Sequence, residues 1–375
     1  MKLLSRFILL FCLCCTTSLN AQTELTVSSI NMTDSSATNV QKPKKDNFIK
    51  RFIKEFDNID TTFITPNKYN WAFMLQNTNS FETYTLHSRE LGQRLSFSPK
   101  PTVKIGPYFG WRWIFLGYTF ELSSLGEGQK SQKTEYELSL YSSMLGCDLI
   151  YRRTGNDFRL RKVSGVSEKA KEVEGETFEG INVNVMGINA YYIFNHRRFS
   201  YPAAFAQSTV QRKSCGTWKA GFSYTLHELE FDYAALPKEL TDNSDTELSQ
   251  DFRINKLKYH NFSLSCGYAY IWVFKKNWLL CVSVTPALGY KITDTNVTKM
   301  ATIDNEDMPK FDFNNFCFDV TGRVGLVWNN TKYFGGLSMI VHNYNYRHKK
   351  LTISNTFGTI NLYLGLNFHK RKAYR

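Results

Sequence analysis

Residues 262 to 274 put Phe262, Leu264, Cys266, Tyr268, Tyr270, Trp272 and Phe274 on one parity, and Ser263, Ser265, Gly267, Ala269, Ile271 and Val273 on the other. A period of two sustained over this length is the signature of a β-strand, because successive side chains point to opposite faces. The run also exceeds the usual strand of about 5 to 6 residues in soluble domains. It matches the tilted crossing of a bilayer, roughly 9 to 11 residues. This pattern constrains the chain more than anything else in it, since a strand with large apolar groups on one face needs either a partner sheet or lipid to cover them.

The same alternation recurs. Residues 316 to 328 set Phe316, Phe318, Val320, Val324, Leu326 and Trp328 against Cys317, Asp319, Thr321, Arg323 and Gly325. Strand signals fall at about 69–88, 93–109, 111–122, 134–143, 146–163, 181–195, 214–230, 258–275, 278–292, 314–329, 332–346 and 357–369, about 12 in all. The connections 275–277 and 329–331 are tight, whereas 231–257, 293–313 and 347–356 are long and polar. Short turns at one end and long loops at the other are the pattern of an antiparallel transmembrane β-barrel, an all-β fold. Segment 196–213 is the exception, long where a tight turn is expected, and could fold under the barrel. The last strand, "TINLYLGLNF", carries Ile360, Leu362, Leu364, Leu366 and Phe368 on one parity, like the closing strand read by barrel-assembly machinery. Aromatics make up 15% of the chain, and many lie near strand ends, as an interfacial girdle requires.

The first 21 residues, "MKLLSRFILLFCLCCTTSLNA", read as a cleaved signal peptide, with Lys2 and Arg6 ahead of a short apolar run. Residues 22–65 read as a periplasmic tether followed by a short N-terminal amphipathic helix, where Phe48, Ile49, Phe52, Ile53 and Phe56 recur at helical spacing. Residues 66–375 are then the outer-membrane barrel. Beyond the leader no apolar run reaches the roughly 20 residues of a membrane helix. Cys147, Cys215, Cys266, Cys281 and Cys317 remain after cleavage and fit no disulfide or zinc framework, so they read as apolar fillers. No metal or cofactor is expected.

No P-loop, dinucleotide-binding glycine pattern or zinc-protease motif is present. Ser338, His342 and Asn343 lie near one strand end, but only the first two share a face, and they read as polar rim residues. The informative set is the charge opposite the apolar face: Glu135, Glu137, Asp148, Arg152, Lys219, Asp319 and Arg323. In a narrow ring these side chains face the lumen, where they either pair and plug it or line a polar path or small-ligand pocket. The formal net charge of +13 points to anionic headgroups before nucleic acid. Basic runs at 159–162, 256–260 and 346–350 either meet outer-membrane lipid, lipopolysaccharide phosphates included, or are solvated loop bases.

The stretches "GQRLSFSPKPTVKIGPYFGWRWIFLGYTFEL", "YSSMLGCDLIYRR" and "FSYPAAFAQSTVQRKSCGTW" resemble a Bacteroidetes outer-membrane family catalogued as domain of unknown function 4421. The resemblance covers about residues 44 to 370. It implies an exported β-barrel-like protein with no assigned activity, and it supplies no catalytic residues. The expectation is a non-enzymatic outer-membrane barrel that passes or binds small molecules or serves as an envelope scaffold. The alternatives are a barrel enzyme acting on outer-membrane lipid and a secreted soluble β-sandwich that binds glycans. Partners other than lipid and the assembly machinery are left open.

Overall fold

The computed structural model describes Glu55 and residues 58–111, 114–121, 133–154, 157–166, 171–241, 248–293, 315–348 and 350–374. The expected signal peptide, the tether and all of the expected amphipathic helix except Glu55, which is helical, lie outside the described residues. The strands all belong to the compact unit Ile59–Arg375. They are β1 (Ile64–Pro66), β2 (Tyr69–Ser88), β3 (Arg94–Pro99), β4 (Thr102–Trp111), β5 (Ile114–Gly117), β6 (Phe120–Glu121), β7 (Thr134–Tyr141), β8 (Leu145–Thr154), β9 (Phe158–Ser164), β10 (Thr177–Phe178), β11 (Ile181–Ile193), β12 (Thr209–Gln211), β13 (Cys215–Phe231), β14 (Lys256–Lys275), β15 (Trp278–Thr293), β16 (Phe316–Asn329), β17 (Tyr333–His348) and β18 (Leu351–Lys370).

Sixteen of these strands form one antiparallel sheet, which runs β10-β9-β3-β2-β18-β17-β16-β15-β14-β13-β11-β8-β7, with β4 branching from β2 and carrying β5 and β6. The sheet curls into a barrel, so that residues far apart along the path meet inside it. Arg323 on β16 bonds Asp148 on β8, and Ser80 on β2 bonds Glu135 on β7 at 2.7 Å. Among the described residues no ladder joins β7 to β6; side chains reach across instead, Lys104 of β4 to Glu135 of β7 at 3.4 Å and Lys133, just ahead of β7, to Thr102 Oγ1 of β4 at 3.1 Å. One end of the barrel, the base, holds the meeting of Tyr69 with Lys370 and the tight turns at 276–277 and 330–332. The opposite end is the crown.

Three expected strands are broken. The 93–109 stretch divides where Pro99 and Pro101 flank Lys100, since proline has no amide to donate to a ladder. The 111–122 and 146–163 stretches divide as well, into β5 with β6 and β8 with β9. The expected loop at 347–356 is corrected more sharply. β17 and β18 pair until His348 meets Leu351, so this connection is a tight hairpin at the crown. That crown lies well above the level any bilayer requires, because β2, β14 and β18 each run 20 residues.

Strand polarity inverts along these long strands. In the lower part of β14 the exposed side chains are Leu264 (69%), Tyr268, Tyr270 and Trp272, and the inward ones are Ser263, Ala269 and Ile271. Above Phe262 the outward residues are Lys258 and Lys256, while Tyr259 and Leu257 turn in and are buried. The crown interior is therefore an apolar core, built around Phe97, Phe158, Phe178 and Phe231. The Phe97 ring lies 5.1 Å from Phe178 and 5.8 Å from Phe231. Leu236, Leu240, Leu248 and Phe252, from the short turns between β13 and β14, complete it.

The base is closed by the segment between β11 and β13, which does fold under the barrel. A π-helical turn at Pro202–Ala206 and β12, paired with β1, carry Phe199, Tyr201, Ala203 and Ala204 up against Ile193, Ile271, Leu279 and Val327. This plug is hydrogen-bonded to the wall: Tyr201 Oη donates to Ser283 Oγ at 2.7 Å, and Gln207 Nε2 donates to Tyr363 Oη at 2.8 Å.

Candidate functional site: the charged lumen

Between the apolar crown and the apolar plug lies a layer of charge. Residues Asp148, Arg152, Lys219, Asp319 and Arg323 are all buried, and Glu135 and Glu137 are half-buried on β7. Their strand parity accounts for this, because each stands opposite the apolar outer face. A buried charge is costly unless paired and hydrogen-bonded, and most of this layer satisfies that condition.

Three groups carry it. In the first, Arg323 Nη2 donates to Asp148 Oδ2, whose carboxylate also accepts from Ser139 Oγ at 2.7 Å and Asn189 Nδ2 at 2.8 Å. The Arg323 guanidinium lies 5.2 Å from the centre of the Tyr191 ring. Lys219 belongs to the same layer, with Nζ on Ser283 Oγ at 2.9 Å and the rings of Tyr191 and Tyr201 each 5.1 Å away. In the second group Arg152 Nη2 bonds Glu135 Oε1 at 2.5 Å and stands 3.5 Å from Glu82 Oε2. Lys133 and Lys104 complete Glu135 at 3.0 and 3.4 Å, and Thr154 Oγ1 donates to Glu82 at 2.8 Å. In the third, Lys291 faces Asp319 at 3.5 Å, and Asp319 accepts from Asn261 Nδ2 at 2.9 Å and from the Asn345 amide at 3.0 Å.

Glu137 stands apart. Both of its carboxylate oxygens are shielded from solvent without a hydrogen-bond partner, and so is His342 Nε2, 3.7 Å from Glu137 Oε1. Glu137 lines a cavity of about 410 Å³ inside the barrel. Its roof is the Glu135–Arg152 pair with Lys104, and its floor is Phe205, Ala206 and Gln207 of the plug. Gln76, Thr78, Ser338 and Asn361 give the wall of β2, β17 and β18 its polar groups, while Met74, Tyr108, Ile340 and Leu138 supply apolar surface. The Gln76–Thr78–Asn361 set is already linked, with Gln76 Nε2 and Thr78 Oγ1 both on Asn361 Oδ1, at 3.1 and 2.8 Å.

Ser338 and His342 both point inward and are buried. Their expected place at a polar rim is thus corrected to the lumen, because β17 continues past them to His348 and the rim lies higher. Four lumen residues escaped the sequence reading: Glu82, Lys104, Lys133 and Lys291. Glu82 shares a parity with Ser80, Tyr84 and Leu86, so on β2 the inner face reads as more apolar than the outer, and a rule of apolar side outward misassigns it. Lys291 could have been found, since it continues the parity of Cys281, Ser283 and Thr285. Among the basic runs at the crown, Lys256 pairs with Glu230 at 2.8 Å, Lys258 with Glu228 at 3.3 Å and Lys350 with Glu90 at 2.6 Å.

Fold and site together define a β-barrel with an occluded, charge-lined interior. The chain matches the family described as "Domain of unknown function (DUF4421)" over residues 58–368, and it belongs to that family. No curated protein matches it. Solved structures resemble it loosely. The outer-membrane protease OmpT of Escherichia coli aligns with TM-score 0.32 and 8% identity over 84% of this chain and 100% of its own. The P. putida toluene transporter TodX aligns with TM-score 0.19 and 9% identity, over 80% and 91%. A bacterial polysaccharide outer-membrane secretin aligns with TM-score 0.26 and 8% identity, over 80% and 99%.

Proposed function

We propose that this protein spans the outer membrane as a plugged β-barrel and holds a small molecule in its lumen, without conducting solutes along its axis. Support for the membrane comes from the outer surface. Register aligns Tyr224, Phe262, Tyr290 and Phe316 across β13 to β16 in one row. Trp272, Trp278 and Trp328 form another toward the base. Phe262 and Trp272 are ten residues apart on β14. At roughly 3.3 Å per residue and a tilt of about 40°, that spacing is about 25 Å, the height of an apolar band between aromatic girdles. Between the rows Leu264, Leu288 and Phe318 are 57 to 69% exposed, a surface that water does not favour. The start of β2, the end of β18 and the tight turns at 276–277 and 330–332 then lie on the periplasmic side, and the crown stands in the medium.

The observation that carries the lumen reading is the order of layers along the axis: apolar crown, paired charges, apolar plug. An open diffusion pore needs a continuous aqueous path, and between these layers the described residues leave a cavity in its place. About 410 Å³ falls in the size range of small-molecule sites. The Glu137 carboxylate, without a hydrogen bond and 3.7 Å from His342, suits a ligand that brings hydrogen-bond donors, an amine or a polyol, with an apolar part for Met74 and Ile340. Planar-bilayer recordings on the full mature chain test the first half. No steady conductance is expected, and a stable open pore in most insertions would overturn the reading. Calorimetric titration with octylamine, with octanoate as the control, tests the second half. Heat that saturates for the amine and disappears in Glu137→Gln is expected; equal response of both proteins to the amine refutes it.

A further inference from the structure

The base carries a concentration of positive charge that neither the lumen nor the cavity uses. Four exposed cations, Arg197, Arg198, Arg212 and Lys213, sit on the plug itself. Six more, Lys68, Lys275, Lys276, Lys332, Lys370 and Lys372, ring it at the strand ends. Among the described residues of Ile59–Arg375, Asp60 is the only side-chain carboxylate on this face, and it lies 3.4 Å from Arg198. Oriented cations at this density give a surface potential of several kT, reaching about a Debye length into solution.

The two sets differ in what can reach them. The ring lysines follow the lower aromatic row directly: Lys275 and Lys276 separate Phe274 from Trp278, and Lys332 precedes Tyr333. Lipid phosphates can meet those. The plug cations lie inside the wall, where no bilayer lipid extends, and they are fixed on a built element. Phe63 lies 5.2 Å from the Arg198 guanidinium and 5.3 Å from Lys213 Nζ. The Arg212 amide donates to the Phe63 carbonyl at 2.7 Å, and Arg212 Nε donates to Thr65 Oγ1 at 3.0 Å. The β1–β12 ladder holds that whole corner in register. Rigid, preorganised guanidinium groups favour the planar, two-oxygen geometry of carboxylates.

We infer that the base is a docking surface for the acidic face of a soluble periplasmic protein, with Arg197, Arg198, Arg212 and Lys213 as its centre and the lysine ring as its rim. Lipid can reach the rim alone, whereas a carboxylate-rich protein surface can meet rim and centre together, and so fits the whole face better. The inference needs the base to face the periplasm and does not depend on the cavity.

The test uses the full mature chain in phosphatidylcholine nanodiscs, with fluorescent poly-L-glutamate as the probe and anisotropy as the readout. Binding is expected at low salt and weakens steeply as salt rises. R197Q/R212Q/K213Q is expected to bind about tenfold more weakly, roughly twofold per cation removed. R197K/R212K, which keeps the charge, is the folding control and is expected to bind within a few-fold of the native chain. K275Q/K276Q/K332Q/K372Q is expected to bind nearly as well as the native chain. Absence of binding to the native chain overturns the inference. So does loss of binding in the ring variant with retention in the plug variant, which assigns the face to lipid headgroups.

Discussion

The buried Asp148–Arg323 pair gives the sharpest test of the lumen. Each side chain is 1% exposed, and Asp148 has three donors: Arg323, Ser139 and Asn189. Consider Asp148→Asn. The shape is kept, but Arg323 loses its counter-charge in a place where water cannot replace it. At an effective dielectric of about 20, two unit charges near 4 Å attract by about 4 kcal/mol. A guanidinium also cannot shed its proton to escape the cost. Breaking such a pair from one side typically costs about 3–5 kcal/mol, and we expect that loss here. Arg323→Met is the milder direction, about 1–3 kcal/mol, because the remaining carboxylate keeps two donors and can neutralise itself by taking a proton.

The double variant D148N/R323M removes both charges and leaves about 0–2 kcal/mol of loss, since an apolar replacement of a buried pair is often nearly neutral. The singles therefore sum to more than the double, with a coupling of about 2 kcal/mol or more. Urea unfolding of the barrel in lipid vesicles, followed by tryptophan fluorescence and circular dichroism, measures all four proteins. If the single losses add to the double within about 0.5 kcal/mol, the two groups do not act as a pair and the lumen layer described above is wrong.

Three other outcomes follow from separate parts of the molecule. Phe97→Ala, in the fully buried crown cluster, should cost about 3–5 kcal/mol in the same urea experiment, and a loss below 1 kcal/mol would mean the crown is not a packed core. Leu264→Arg, at an outward position 69% exposed, should lower stability in lipid vesicles by about 2–4 kcal/mol, whereas in a soluble protein the same change would be nearly silent. At the base, the Thr62 hydroxyl, 2.6 Å from Asp60 Oδ1, and then the Thr62 amide hold the Asp60 carboxyl below its usual 3.8. A depressed folded-state value gives stabilisation that is complete above pH 3.8 and fades as pH falls through the folded value. Hydrogen-exchange protection of the Phe63 and Ile64 amides, both bonded to the Asp60 carbonyl, should follow that course, and Thr62→Val should move the loss upward toward 3.8; protection that stays flat through the acid range refutes it.

Period-two alternation carried the architecture because a wall between lipid and lumen demands opposite chemistry on alternate residues. Leu264, Phe318 and Leu364 turn outward on that ground alone, and the same parity sets Asp148, Arg152, Lys219, Asp319 and Arg323 on the inner face. Pairing inside the ring is another matter. Arg323 and Asp148 are 175 residues apart, and Arg152 meets Glu82 across the interior, not along a strand. Such contacts depend on ring diameter and stagger, which no local pattern encodes. The division of β3 from β4 was readable from Pro99 and Pro101, whereas the cavity depends on where Phe205 and Gln207 stop, a matter of how far the plug reaches in.

The crown was hidden for a more instructive reason. Apolar side chains face outward only over the lower part of each long strand. On β18 the outward residues pass from Phe368, Leu366, Leu364 and Leu362 near the base to Thr356, Ser354 and Thr352 above, while the inward ones pass from Asn367 and Asn361 to Phe357, Ile353 and Leu351. Parity never changes, so the strand is unbroken; only the solvent outside it changes. With the membrane placed as proposed, the exterior below the upper aromatic row is lipid and polar groups gather within, where they must pair. Above it the exterior is water, and apolar groups gather within as in any soluble core. A single strand thus belongs to two folding regimes, and on the proposed topology the level at which its pattern reverses is the level of the membrane surface.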